Sequence, residues 1–109
     1  MAAHEFGIMD RAPTLKERYE RYEPEKYTPV RVEDELLAPL LPQLGELDFF
    51  WHSLERPAKG LAYTGITLIS PAAMDGLLKI LGSRPELDEL RNLLLRAKAA
   101  GKFVIHFGI

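Results

Sequence analysis

The stretch LAYTGITLISPAAMDGLLKILGSRPELDELRNLLLRAKAAGKFVIHFGI, residues 61–109, sets the fold class. Leu61 to Ile69 carries Tyr, Thr and Ile on both parities, the pattern of a central strand covered on both faces. Ser70 and Pro71 then supply a helix start, and Met74, Leu77, Leu78 and Leu81 recur at helical spacing before Gly82. A second start follows. Ser83 with Glu86 has the spacing of a capping box, Pro85 fits the first turn, and Leu87, Leu90, Leu94 and Ala97 form an apolar stripe closed by Gly101. Glu86, Asp88 and Glu89 open this helix and Arg96 and Lys98 end it, which suits the helix dipole. In the last residues Phe103, Ile105, Phe107 and Ile109 alternate with Val104, His106 and Gly108, as the two faces of a strand do. Strand, helix pair and strand together predict an α+β domain.

Working upstream, residues 47–54 (Leu-Asp-Phe-Phe-Trp-His-Ser-Leu) suit an aromatic strand, and Glu55 to Gly60 supplies a turn into the strand at 61–69, making an antiparallel hairpin. Glu33, Asp34 and Glu35 stand where the positive end of a helix favours carboxylates, ahead of Leu36, Leu37, Leu40, Leu41 and Leu44. Pro39 and Pro42 interrupt that helix, leaving one short helix and a distorted turn that ends at Gly45. Val30 and Val32, behind Pro29, read as an edge strand. Residues 1–27 are polar with cancelling charges and read as an N-terminal surface arm, holding a short strand at Glu5–Ile8. Leu15, Tyr19 and Tyr22 in the arm lie at helical spacing before Pro24. The expected organisation is an arm, 1–27, and a single α+β domain, 28–109. Its mostly antiparallel sheet of three to five strands carries helices mainly on one face, as in a variant of the split βαβ ferredoxin-like core. A pair of antiparallel helices returns the last strand in the opposite sense, so either the sheet is mixed or the pair acts as one bent element.

Composition limits function. The chain has 109 residues, 47% of them apolar, enough for one core. With no cysteine it has no disulfide, thiol nucleophile or thiolate metal site, and a reducing cytoplasm is the expected location. A net charge of −2 gives no whole-molecule attraction to nucleic acid or anionic lipid, and no apolar run is long enough for a membrane span. No cofactor or metal is expected.

Chemistry-bearing patterns are sparse. Residues 60–67 mimic a phosphate loop in spacing, but Ile66 stands where the lysine belongs and the segment reads as a strand, so Gly65 is assigned to a close backbone approach. His4, His52 and His106 lie too far apart in sequence for a local metal motif. His52 and His106 both fall on strands, which leaves them, with Asp48, as the catalytic candidates; the more ordinary role is a half-buried histidine bonded to a carbonyl. Ser53 lacks an acid partner. Phe49 and Trp51 must point opposite to Phe50, so one face of the sheet needs a second cover: the arm, a second subunit, or a partner anchored on Trp51. From Val32 to Glu55 there are six acids and no Lys or Arg, which makes Trp51, Phe49, Glu46 and Asp48 the candidate binding surface.

Residues 51–54 (Trp-His-Ser-Leu), the run from Lys59 through Pro71, the closing segment Phe103 to Ile109 and the segment Tyr22 to Tyr27 together resemble a group of small bacterial proteins with no known activity. The resemblance implies a bacterial origin and an intact C-terminus, and it transfers no catalytic residue. The leading expectation is a non-catalytic protein-binding module of the immunity, inhibitor or regulatory kind, with a protein partner or self-association. Behind it stand a small hydrolase or isomerase using His52 with Asp48 or His106, and a nucleic-acid binder using the basic C-terminal helix.

Overall fold

All four residues of β5 (Ile66–Ile69) are buried, so this strand is covered on both faces, as its apolar run implies. The computed structural model describes residues 2–109. β5 belongs to a six-stranded sheet in which every pairing is antiparallel, with β1 (Ala3–Ile8), β2 (Val30–Glu33), β3 (Asp48–Trp51), β4 (Pro57–Lys59) and β6 (Val104–Phe107). The order across the sheet is β2-β1-β6-β5-β3-β4. Six strands exceed the expected three to five. β4 is the addition, formed where the sequence reads as a turn; it is an edge strand, and Pro57 is tolerated there because one row of N–H groups has no ladder partner to serve.

The four helices are α1 (Asp34–Leu37), α2 (Leu41–Leu44), α3 (Met74–Leu81) and α4 (Asp88–Ala100). A 3₁₀ turn at Ala38–Leu40 divides α1 from α2, beside the two prolines that interrupt the leucine run. α3 and α4 explain the sheet's sense: β5 runs one way, α3 back, α4 forward, and β6 back again. An even pair of helices thus delivers β6 antiparallel beside β5, and no mixed pairing is needed. Neither Ser70 nor Ser83 caps its helix with a side chain. The chain enters through the 3₁₀ turns Pro71–Ala73 and Pro85–Leu87, whose first residue has no N–H to satisfy and whose backbone closes Ala73 N–H on Ser70 O and Leu87 N–H on Arg84 O. Both helices end at a glycine with positive φ, Gly82 and Gly101.

All four helices lie on one face. Their core joins Leu37, Leu44, Met74, Leu81, Leu90 and Leu94 to Phe6, Val32, Phe49, Ile69 and Val104 of the sheet. Leu78 is only half-buried, because its position on α3 turns it toward the margin of this core. Leu90 is 1% exposed. Leu90→Ala is expected to cost about 2–5 kcal/mol, the usual range for a large-to-small core change; a denaturant-measured loss below about 0.5 kcal/mol, typical of a surface site, would mean that the stripe has been misassigned.

The opposite face answers the question of the second cover. Met9, Ile66, Leu68, Ile105 and Phe107 form a separate cluster, and Tyr19, Tyr27, Phe50, Leu54 and Phe103 pack against it. Tyr19 and Tyr27 come from residues 10–29, so the N-terminal arm is the cover. The segment 1–27 therefore does two jobs: Ala3–Ile8 is an interior strand with neighbours on both sides, and the rest straps the sheet. Leu15, Tyr19 and Tyr22 do not form helical turns; the strap is irregular there, and Tyr19 instead bonds its N–H to His52 O at 2.7 Å.

Candidate functional site

Two clusters of polar side chains stand out, one running from the surface at Tyr63 and Asp34 into the helix-side core and one around a surface cleft. Alternation along β1 puts His4 on the same face as Phe6, and alternation along β6 puts His106 on the same face as Val104. Phe6 and Thr67 are the register partners of His106 on either side, so His4 reaches it diagonally. The result is a continuous chain. Asp34, at the start of α1, accepts from His4 Nε2 at 2.9 Å and from the Tyr63 hydroxyl at 2.7 Å. His4 Nδ1 lies 2.9 Å from His106 Nε2, His106 Nδ1 lies 3.1 Å from Thr67 Oγ1, and the Ala62 N–H donates to Thr67 Oγ1 at 2.8 Å.

The ionised Asp34 carboxylate can only accept, and this fixes every other direction with both rings neutral. His4 donates through Nε2 and accepts at Nδ1; His106 donates through Nε2 and accepts at Nδ1 from the Thr67 hydroxyl. Each donor has one acceptor, and among the described residues no buried side-chain polar atom lacks a partner. The His4 and Tyr63 bonds hold the Asp34 carboxyl below its ordinary range, and the Tyr63 hydroxyl is raised in turn by Asp34. His106 is pushed down to about 3, mainly by burial and secondarily by His4. His4, His106 and Thr67 are all 0% exposed. The chain resembles a relay in form, but its interior members offer no atom to a substrate.

The second cluster surrounds a cleft of about 650 Å³ at one end of the strapped face. Glu5 of β1, Arg31 of β2, Glu20 and Tyr22 of the strap, His52 after β3 and Thr64 before β5 all line it. The Tyr22 hydroxyl donates to the Glu5 carboxylate, and its ring stands edge-on to Phe107 at 5.6 Å. His52 adopts φ +65, a left-handed conformation uncommon outside glycine. Three bonds hold it there: its N–H to Ile66 O at 3.0 Å, the Tyr19 N–H to its carbonyl, and its Nδ1–H to Tyr19 O at 3.0 Å. Gly65 makes room for the ring, since a Cβ there would fall 2.8 Å from His52 Nε2.

The sequence-derived candidates are dispersed by this arrangement. His106 meets His4 instead of His52, which bonds the strap on the other side of the sheet. Asp48 is exposed and pairs with Lys59 across the hairpin at 2.7 Å. Ser53 is buried and accepts the Glu55 N–H, closing a turn. Phe49 is fully buried in the helix-side core and presents no surface, because strand alternation directs it under the helices. Trp51 is half-buried, with its indole N–H donating to Gly60 O at 2.9 Å, and Glu46 is exposed. His4 and Asp34 were missed as site residues. The signal for His4 was the strand at Glu5–Ile8, which, extended by one residue, puts His4 on the Phe6 face; no spacing rule links it to Asp34. Comparison with family models, with curated proteins and with solved structures returns no match for this chain.

Proposed function

We propose that this chain is a non-catalytic protein-binding module, of the immunity, inhibitor or regulatory kind, that grips a segment of its partner in the cleft beside His52. One observation carries this reading. Of the five large apolar side chains exposed among the described residues, Tyr22 (66%) and Ile109 (39%) line the cleft, and Tyr63 (39%) adjoins it, its carbonyl accepting the Ile109 N–H. Exposed aromatic side chains around a concavity are the usual anchors of protein recognition. The cleft volume also lies within the range of roughly 300–1,000 Å³ over which pockets hold compact groups.

Two further facts favour binding over the other expectations. The buried His4–His106 pair offers no atom to a substrate, and neither Asp48 nor His106 meets His52, so the pairings expected of a hydrolase or isomerase are not formed. Three of the six bases from Lys79 to Lys102 are already paired with an acid: Arg91 with Asp88, as well as with the Gly82 and Arg84 carbonyls, Lys98 with Asp75, and Lys102 with Asp10. Phosphate contacts would have to displace those pairs. No helix among the described residues is long and apolar enough to cross a membrane. A cysteine-free chain suits a reducing cytoplasm, and the bacterial resemblance suits an intracellular partner there.

A displayed random-peptide library selected on the full chain tests the site. Peptides so obtained are expected to lose at least tenfold in affinity on the Thr64→Trp variant, which fills the cleft from an exposed turn, while its melting temperature stays unchanged. Failure to select any peptide, or peptides indifferent to Thr64→Trp, would defeat the assignment.

A further inference from the structure

His52 has one ring nitrogen committed and one free. Its Nδ1–H donates to Tyr19 O, so in the neutral ring Nε2 carries a lone pair. No protein group bonds that nitrogen, and it is not a buried orphan, so it meets solvent in the cleft that His52 lines. The lining otherwise carries two carboxylates, Glu5 and Glu20, against one guanidinium, Arg31. The Glu5 carboxylate takes one bond from the Tyr22 hydroxyl and keeps its second oxygen, and Glu20 touches only Arg18, at the 3.5 Å limit. Arg31, opposite Glu5 in the register, is the one guanidinium in the lining and spends its Nε on Glu33 at 3.4 Å, so the two cleft carboxylates outnumber it. The Tyr22 ring supplies an exposed π surface on the same wall.

We propose that the cleft receives an arginine side chain of the partner, its guanidinium placed between the Glu5 and Glu20 carboxylates and His52 Nε2 and its face against Tyr22. This rests on the protein-binding reading given above. Arginine suits the site better than lysine because its planar fork serves several acceptors at once and stacks on an aromatic ring.

Three capped tripeptides, Gly-Arg-Gly and its citrulline and glutamate counterparts, separate the alternatives when titrated into the isotope-labelled full chain and followed by NMR. The arginine peptide is expected to shift the Thr64, Gly65 and Gly108 amides saturably, at a concentration at least fivefold lower than the uncharged citrulline peptide. Glu20→Gln is expected to weaken the arginine peptide at least threefold with the remaining spectrum unchanged. Equal response to citrulline, preference for glutamate, no shift from any of the three, or indifference to Glu20→Gln would overturn the cation assignment. The cleft itself is judged separately, by the response of library-selected peptides to Thr64→Trp.

Discussion

Replacing His106 by Phe is expected to destabilise the protein by about 2–6 kcal/mol, although the two side chains are close in size. The substitution leaves the His4 Nδ1 without a donor and the Thr67 hydroxyl without an acceptor, and both residues are 0% exposed. A buried polar group deprived of its partner costs about 1–3 kcal/mol each. Removing both members of a facing pair avoids half of that penalty. The double variant His4→Phe with His106→Phe is therefore expected to cost less than the sum of the single variants, by about 1–3 kcal/mol. Strict additivity in a double-mutant cycle would show that the two rings are not coupled.

The same residue shapes the response to acid. Folding lowers the His106 pKa from 6.5 to about 3, so between these values the unfolded chain takes up a proton that the folded chain refuses. Its contribution is fully present above pH 6.5 and is lost as pH falls toward 3, by one proton, or a factor of ten in the folding equilibrium, per pH unit. Asp34 acts in a lower window: its carboxyl is also depressed on folding, and the stability it contributes is lost only below its ordinary value of 3.8. Denaturant titrations from pH 6 to 4 should show a slope about one proton smaller in His106→Phe than in the wild type. Parallel slopes would mean that His106 does not titrate on unfolding in that window.

The difference between what the residues announce and what they conceal follows from range. α3 and α4 are readable because their apolar stripes and terminal glycines act within a few residues, and the short, broken pair α1–α2 follows from Pro39 and Pro42 for the same reason. Ser70 and Ser83 illustrate a local rule displaced by another: proline at the first helical position removed the need for a side-chain cap. The strand expected over 61–69 begins only at Ile66, because Gly65 N–H closes a turn on Ala62 O and Ala62 N–H is drawn to the Thr67 hydroxyl. The polar chain was hidden for a different reason. His4 and His106 are separated by 102 positions, and they meet only because β1 enters the sheet beside β6, a pairing no local pattern encodes. Phe49 and Phe50 show the limit of alternation: it requires two covers without saying that residues 10–29 provide one.

Deleting Phe107 to Ile109 is expected to abolish the native fold. Among the described residues β6 is the only strand joining the β2–β1 pair to the β5–β3–β4 set, so its end holds two halves of one sheet together. Phe107 is paired with Glu5 on one side and Ile66 on the other, is 2% exposed, and lies beneath the rings of Tyr22 and Tyr27. Gly108 N–H to Gly65 O at 2.7 Å and Ile109 N–H to Tyr63 O at 2.9 Å extend the seam past the strand. Loss of the Phe107 ring alone is worth about 3–5 kcal/mol, and with the seam bonds and the footing of the strap the total reaches the 5–15 kcal/mol that typically holds a whole domain together. The truncated chain should lack near-UV circular dichroism and show no cooperative melt, whereas Phe107→Ala, which keeps the backbone bonds, should still melt sharply at a lower temperature. A truncated chain that melts as sharply as Phe107→Ala would show that the two halves of the sheet are held by the helices across its other face, with the end of β6 contributing little.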